Sequence, residues 1–312
     1  MSEIVAITGG TGFVGRHVIK ALQAEGFAVR ALVRASRKAD GLDGVDLVAG
    51  SLEDTGALAD LCRGAAAIVH CAGIVSARSR EEFDAVNVEG TSRLVGAAID
   101  CAVGRVVLVS SLTAREPTLS PYGASKRAGE HVLREKGAGL SWSILRPPAV
   151  YGPGDRGTLP LIRQLTRRLA VVPGSSRSRF SLIFVEDLAQ AIVAMVRTGA
   201  PAGMIHEVHD GTYDGYSWHE LARLASQANG RSVRCLFVPR AVVELLAVGV
   251  TAVSRLLGKV PAITTGKVAE LYHGDWVCKT NLVETATDWS ARSDFRSGFS
   301  ATVDWYKARG WL

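Results

Sequence analysis

The sequence predicts a doubly wound α/β fold, with a parallel sheet covered by helices on both faces and a smaller, mostly C-terminal substrate-binding portion. Three observations predict it. A glycine-rich turn directly follows the first apolar run, TGGTGFVG at 8–15. Short apolar runs then alternate with helix-spaced segments through the first 150 residues. Finally, RVVLVS at 105–110 is a continuous branched run, of the kind buried on both faces in a parallel sheet.

Each element has its own signal. Strands are expected at Glu3–Thr8, Ala28–Val33, Asp46–Val48, Ala67–His70, Arg105–Ser110 and Leu140–Arg146. Helices are expected at Phe13–Ala24, Thr55–Cys62, Asn87–Cys101 and Pro121–Lys136. The last has Ser120 as N-cap, Pro121 at the first helical position and Gly137 as its stop. After Val150 glycines, prolines and arginines become frequent and the alternation loosens. We therefore assign 1–150 to a nucleotide-binding domain and 151–312 mainly to substrate binding, with 180–200 returning to the sheet.

Composition narrows the function. Of 312 residues, 47% are hydrophobic, enough to bury a core, and 21% are charged. The net charge of +6 comes from scattered arginines, and no nucleic-acid-binding module is recognisable, so a nucleic-acid partner is not expected. Five cysteines (62, 71, 101, 235 and 278) form no CxxC pair, which argues against a disulfide framework or a zinc site. His206 and His209 lack the HExxH spacing and read as part of a strand, so no metal site is expected. The start, MSEIVAITGG, has no basic leader and no cleavable apolar stretch, and a cytoplasmic location is expected.

Segment 239–257 stands apart. AVVELLAVGVTAVSRLL is apolar on nearly every helical face but short for a membrane span. A buried or substrate-covering helix is the first expectation, and peripheral membrane contact the second. Oligomerisation is left open.

The glycine turn carries the cofactor argument. Gly9 permits the tight turn, Gly12 the approach of a pyrophosphate, and Gly15 the packing of helix on strand. The amides around Thr11, Phe13 and Val14 then face the anion at a helix N-terminus. Because the turn joins the first strand to the first helix, it reads as a Rossmann-type dinucleotide site. The second strand ends at Val33-Arg34, where an NAD-preferring site usually carries Asp or Glu. Arg34, Ser36, Arg37 and Lys38 stand there instead. Arg34 and Arg37 can pair with a 2′-phosphate, which favours NADP(H) over NAD(H).

Tyr122 and Lys126 are four apart on one predicted helix and share a face. A nearby ammonium stabilises a phenolate, which an unperturbed tyrosine reaches only at a pKa of about 10. Ser110 and Ser111 end the preceding strand and can hydrogen-bond a substrate oxygen.

Taken together, TGGTGFVG, VHCAG at 69–73, NVEGT at 87–91, VSS at 109–111, YGASK at 122–126, LRPPAVYGPG at 145–154 and FSLIFVEDLA at 180–189 resemble the extended or atypical branch of the short-chain dehydrogenase/reductase superfamily, which includes epimerases and dehydratases. The resemblance implies Tyr122 as general acid/base, Lys126 on the nicotinamide ribose, and Ser111 orienting a carbonyl, with Ser110 and Thr113 as alternatives. It also implies cofactor contacts at Ser51, Leu52, Cys71, Ala72, Gly73, Pro147 and Val150. Asn87 is also placed among the cofactor contacts, where it would hold the helix or a proton-relay water; a plain helix cap is the alternative. Ser51 stands where the family often has Asp, which puts the adenine contact in question.

The expected activity is NADP-dependent interconversion of a ketone and a secondary alcohol. The apolar 241–257 segment points to a hydrophobic, lipid-like substrate. Nucleotide-sugar epimerisation or dehydration is the alternative within the family, and a non-catalytic dinucleotide sensor or scaffold is the alternative outside catalysis.

Overall fold

A computed structural model describes residues 2–34, 41–197 and 201–312. Its first strand β1 (Ile4–Thr8) runs into α1 (Phe13–Ala24), followed by β2 (Ala28–Val33), β3 (Asp46–Ala49), α2 (Thr55–Cys62) and β4 (Ala67–His70). Next come α3 (Arg80–Asp84), α4 (Gly90–Asp100), β5 (Arg105–Val109), α5 (Pro121–Lys136) and β6 (Ser141–Arg146). The second half contains β7 (Ala149–Tyr151), α6 (Leu159–Leu165), β8 (Leu169–Pro173), β9 (Arg179–Phe180), β10 (Leu182–Phe184), α7 (Val185–Arg197) and β11 (Met204–Glu207). It closes with α8 (Trp218–Asn229), β12 (Arg234–Val238), α9 (Arg240–Leu256), α10 (Thr265–Tyr272), β13 (Asp275–Trp276), α11 (Val283–Ala286) and α12 (Phe295–Ala308).

Seven parallel strands form the central sheet in the order β11-β6-β5-β4-β1-β2-β3. The direction of strand addition reverses between β1 and β4, and that switch point opens a crevice at the C-terminal ends of the strands. The central strands are buried along almost their whole length, as their unbroken apolar runs require. One face carries α1 and α7, with Val18, Ile19 and Leu22 meeting Leu188, Ile192 and Met195 in a single apolar cluster. The other face carries α2 and α4, with Leu58, Leu61, Leu94 and Ala98 packed on Ile68 and Val106. A third cluster, built on Tyr151, Phe184, Trp218, Phe295, Phe299 and Tyr306, forms the core of the second half. Trp305 and Trp311 pack beside it, so these C-terminal aromatics are anchors.

The chain therefore crosses back. β10 leads into α7 against the first core cluster, and β11 adds an edge strand beside β6. Three two-stranded parallel pairs, β7–β10, β8–β12 and β9–β13, hold the second half together.

Two expectations need correction. The helix expected over Asn87–Cys101 is not uniform. A π-helical turn spans Ala85–Glu89, continuing α3 into α4. Its cause lies in packing, since a Cβ at Gly129 on α5 would stand 2.5 Å from the Asn87 carbonyl oxygen. The wider turn accommodates that close approach.

The second correction concerns 239–257. The segment is a helix, α9, but only Ala247 of it is buried. Leu245 is 76% and Leu256 88% exposed. Among the described residues, no helix is long and apolar enough to cross a membrane.

Candidate active site

Two loops border the switch-point crevice, the glycine turn after β1 and residues 71–74 after β4. In the first, Gly9 has φ +75°, and a Cβ there would stand 2.6 Å from the Ala72 nitrogen. A Cβ at Gly15 would stand 2.2 Å from the Gly9 carbonyl oxygen, and one at Gly12 3.1 Å from it. These positions require glycine for the two loops and α1 to approach this closely. Gly12 is the N-cap of α1 without a side-chain cap, and the first turn contains no acidic residue. The amides of Phe13 and Val14, just past Thr11, thus lack intrahelical acceptors and face no carboxylate of their own turn. This cradle fits the pyrophosphate of a dinucleotide.

Around the cradle, the turn at Gly152-Pro153-Gly154 packs on α1, with the Pro153 carbonyl 3.2 Å from His17 Nε2. Arg34 is exposed at the end of β2, while Ser36, Arg37 and Lys38 lie outside the described residues. Arg16, a cation the sequence reading did not single out, donates to the Thr11 carbonyl, and its guanidinium lies 3.4 Å from the Cβ position of Gly41. At the end of β3, Leu52 packs against Gly90, and the Ser51 hydroxyl accepts from the Glu53 amide at 3.1 Å. Pro147 accepts from the Leu112 amide at 2.8 Å, and Val150 packs on the first core cluster.

The acid/base candidates lie at the start of α5. Ser120 accepts from the Gly123 amide at 2.9 Å and Pro121 opens the helix, so the cap fixes where Tyr122 emerges. The Tyr122 ring lies 6.1 Å from that of Phe83. Burial pushes the phenol up to about 12, reinforced by the charge of Glu270 and partly offset by the nearby Ser111 hydroxyl. Lys126 sits one helical turn on, with Nζ donating to the Val109 carbonyl at 2.8 Å. Its ammonium lies 3.7 Å from the Cβ position of Gly73, which places it in the crevice. Burial brings its pKa down to about 8, against the opposing pull of Glu130 and Cys71.

The three candidate hydroxyls separate clearly. Ser110 donates to Glu130 at 2.5 Å, inside a buried pair where Arg146 contacts the same carboxylate at 2.6 and 2.8 Å. The expectation that Ser110 could meet a substrate oxygen is therefore corrected, because its hydroxyl is committed to structure. Thr113 donates to Ser111 at 2.9 Å. Of the three, it is the Ser111 hydroxyl that lies near enough to the Tyr122 phenol to lower its pKa.

Asn87 is not a helix cap. Its carboxamide oxygen accepts from the Ile74 amide at 2.9 Å, and its nitrogen donates to the Ile74 carbonyl at 3.1 Å and to Ser125 at 2.9 Å. It thus ties the loop after β4 to the helix bearing Tyr122 and Lys126.

His70, at the end of β4, anchors a buried relay. Thr8 Oγ1 lies 2.6 Å from His70 Nδ1, and His70 Nε2 lies 3.0 Å from Thr91 Oγ1, which donates to the Asn87 carbonyl at 2.8 Å. Because the Thr91 hydroxyl already donates to Asn87, His70 Nε2 carries a proton and donates to Thr91, and a neutral ring leaves Nδ1 to accept from Thr8. Burial pulls its pKa down to about 3, which agrees. The signal was available, since Thr8 opens the glycine motif and Thr91 closes NVEGT. Burial pushes the Cys71 thiol up to about 12, against the pull of Lys126. Farther away, the Glu207 carboxylate accepts from the Lys279 and Thr280 amides, and His206 Nδ1 lies 3.0 Å from the Asn281 carbonyl.

Known proteins resemble this chain in sequence and in fold. The sequence profile described as "NAD dependent epimerase/dehydratase family" matches residues 5–206. A "Ceramide reductase" of Caulobacter vibrioides (strain NA1000 / CB15N) is 41% identical over 99% of this chain and 96% of its own length. A "4-hydroxy-2-methyl-3-oxo-4-farnesyl-3,4-dihydroquinoline-1-oxide ketoreductase" of Stigmatella aurantiaca is 32% identical over 66% of this chain and 67% of that protein. In fold, the chain resembles the UDP-glucose 4-epimerase of Bifidobacterium longum in complex with NAD+ and UDP. The TM-score is 0.73 at 17% identity, covering 99% of both chains.

Proposed function

Because the chain belongs to the NAD dependent epimerase/dehydratase family and is an NAD(P)-dependent oxidoreductase of that type, we propose that it reduces a ketone on a long-chain, ceramide-like lipid to a secondary alcohol, using NADPH. The observation that carries the reading is the similarity to the Caulobacter reductase along the whole chain, including the C-terminal half outside the family profile. The ketoreductase from Stigmatella, named for a farnesylated ring, supports an apolar ketone.

In this reading the cradle of Gly9, Gly12 and Gly15 would hold the pyrophosphate of the dinucleotide, which when bound would supply the hydride for the carbonyl carbon. Ser111 donates to the carbonyl oxygen and orients it. Tyr122, held protonated by burial, gives its proton to the developing alkoxide. Lys126 keeps a positive charge in the crevice, which binds ribose hydroxyls and stabilises the phenolate left behind. Asn87 and the His70 relay fix the distance between the two loops and α5. Arg34 contacts the 2′-phosphate, and 151–312 mainly binds the substrate. A lipid substrate also gives segment 239–257 a role at a membrane surface.

The test is a panel of ketones from short and polar to long-chain, each with NADPH and NADH. Turnover that rises with chain length and prefers NADPH is expected. Turnover confined to small polar ketones would remove the lipid reading. Tight, recycled dinucleotide with turnover only of a nucleoside-diphosphate sugar would install the epimerase reading.

A further inference from the structure

The helix α9 is inside out. At roughly 100° per residue, Val242, Leu245, Leu246, Gly249, Val253, Leu256 and Leu257 fall within an arc of about 120° on one side. Every one of these residues is exposed. The opposite side carries Ala247 and Thr251, and Thr251 donates to the Ile263 carbonyl at 3.4 Å. A helix whose apolar stripe faces outward and whose small and polar residues face the protein reverses the usual arrangement. The exposed stripe is larger than the scattered apolar residues of an ordinary surface. It is also firmly mounted, with α9 packed on α10 and the Tyr272 hydroxyl donating to the Val238 carbonyl at 2.6 Å.

Charge selects the occupant. From 231 to 260 the chain has five cations (Arg231, Arg234, Arg240, Arg255 and Lys259) and one anion, Glu244, which pairs with Arg240 at 2.8 Å. Among the described residues no carboxylate pairs with Arg255 or Lys259, which flank Leu256 and Leu257. A second copy seated symmetrically on this face would bring like charges together. An anionic bilayer complements both the stripe and the cations.

We propose that the outward face of α9 docks flat on an anionic phospholipid bilayer, with its leucines and valines below the headgroups and Arg255 and Lys259 on the phosphates. The place of this helix gives the docking a purpose. Arg255, Lys259 and Pro261 line a cleft with Arg78 and Glu82, and Glu82 precedes Phe83, whose ring packs beside Tyr122. The α10 helix also touches the Tyr122 cap, where Ser120 donates to Glu270. The C-terminal end of α9 therefore borders the way to the acid/base group, and a lipid ketone leaving the bilayer enters there. Docking stands on the exposed face itself, whereas delivery of substrate rests on the ketone-reduction reading.

The experiment is flotation of the full chain with vesicles of phosphatidylcholine alone and of phosphatidylcholine with phosphatidylglycerol. The probes are wild type, Leu245→Glu/Leu256→Glu and Arg255→Glu/Lys259→Glu. Both sites are exposed, and circular dichroism checks that each variant folds. Wild type should float with the anionic vesicles and lose binding at high salt. The leucine variant should bind at least about tenfold more weakly, and the charge variant about fivefold more weakly per cation lost. Reduction of a short, water-soluble ketone should be unchanged in the leucine variant, while reduction of a vesicle-borne ketone falls in both. Failure of wild type to float, or equal flotation of the leucine variant, overturns the proposal. So does a wild-type dimer that the leucine variant dissolves without any vesicle binding. Flotation without ketone turnover would uphold docking and defeat only the reductase reading.

Discussion

Replacing Lys126 by Met should stabilise the fold while destroying activity. Lys126 is 9% exposed, and burial lowers its pKa from 10.5 to about 8. At 1.36 kcal/mol per pKa unit, that fall corresponds to about 3 kcal/mol by which folding disfavours the charged form. Methionine has similar length and no charge, so this cost disappears. The Val109 carbonyl loses its donor, which offsets the gain by about 1 kcal/mol. The net expectation is a gain of about 2 kcal/mol near pH 7. The pH dependence follows from the direction of the shift. Between pH 8 and 10.5 the unfolded chain holds the Lys126 proton and the folded chain does not, so this group's contribution to wild-type stability rises with pH there. The advantage of the variant should shrink across that window. Urea unfolding followed by tryptophan fluorescence, at about pH 7 and about pH 10, measures it. A variant less stable than wild type at pH 7, or a difference that ignores pH, would refute the reasoning. Activity should fall at least about a hundredfold.

Other residues give equally direct outcomes. Glu130→Ala leaves the buried Arg146 guanidinium and Ser110 without their carboxylate and should cost about 3–5 kcal/mol in urea unfolding. Gly15→Ala places a Cβ 2.2 Å from the Gly9 carbonyl oxygen, so the cradle must open. NADPH affinity by fluorescence titration should drop at least about tenfold, a loss of about 1.4 kcal/mol. Arg34→Asp should reverse the cofactor preference, lowering the NADPH/NADH ratio of kcat/KM about tenfold or more, consistent with the loss of one charge-assisted contact.

The first half of the fold was legible because its signals are local. The capped start of α5, the uninterrupted β5 run and the glycine turn each encode one element in a few adjacent residues. What the sequence hid depends on contacts distant along the chain. The π-turn at Ala85–Glu89 follows from how closely Gly129 brings α5 to Asn87, some forty residues away. Ser110 and Ser111 are neighbours in sequence, and only the Glu130–Arg146 pair on other elements separates their roles. Periodicity described α9 as apolar nearly all round, a pattern that suggests burial. Which side it shows to solvent was decided by its mounting on α10 and by the small, polar residues it turns inward.

The most direct test of the account is NADPH oxidation with a long-chain ketone, wild type beside Tyr122→Phe. The phenol oxygen is the proposed proton donor and accepts no core role, so the variant should keep its fold and its NADPH affinity while kcat falls about 10²–10⁴-fold. Undiminished turnover in a variant that still binds NADPH would contradict the assignment of Tyr122, and with it the central claim.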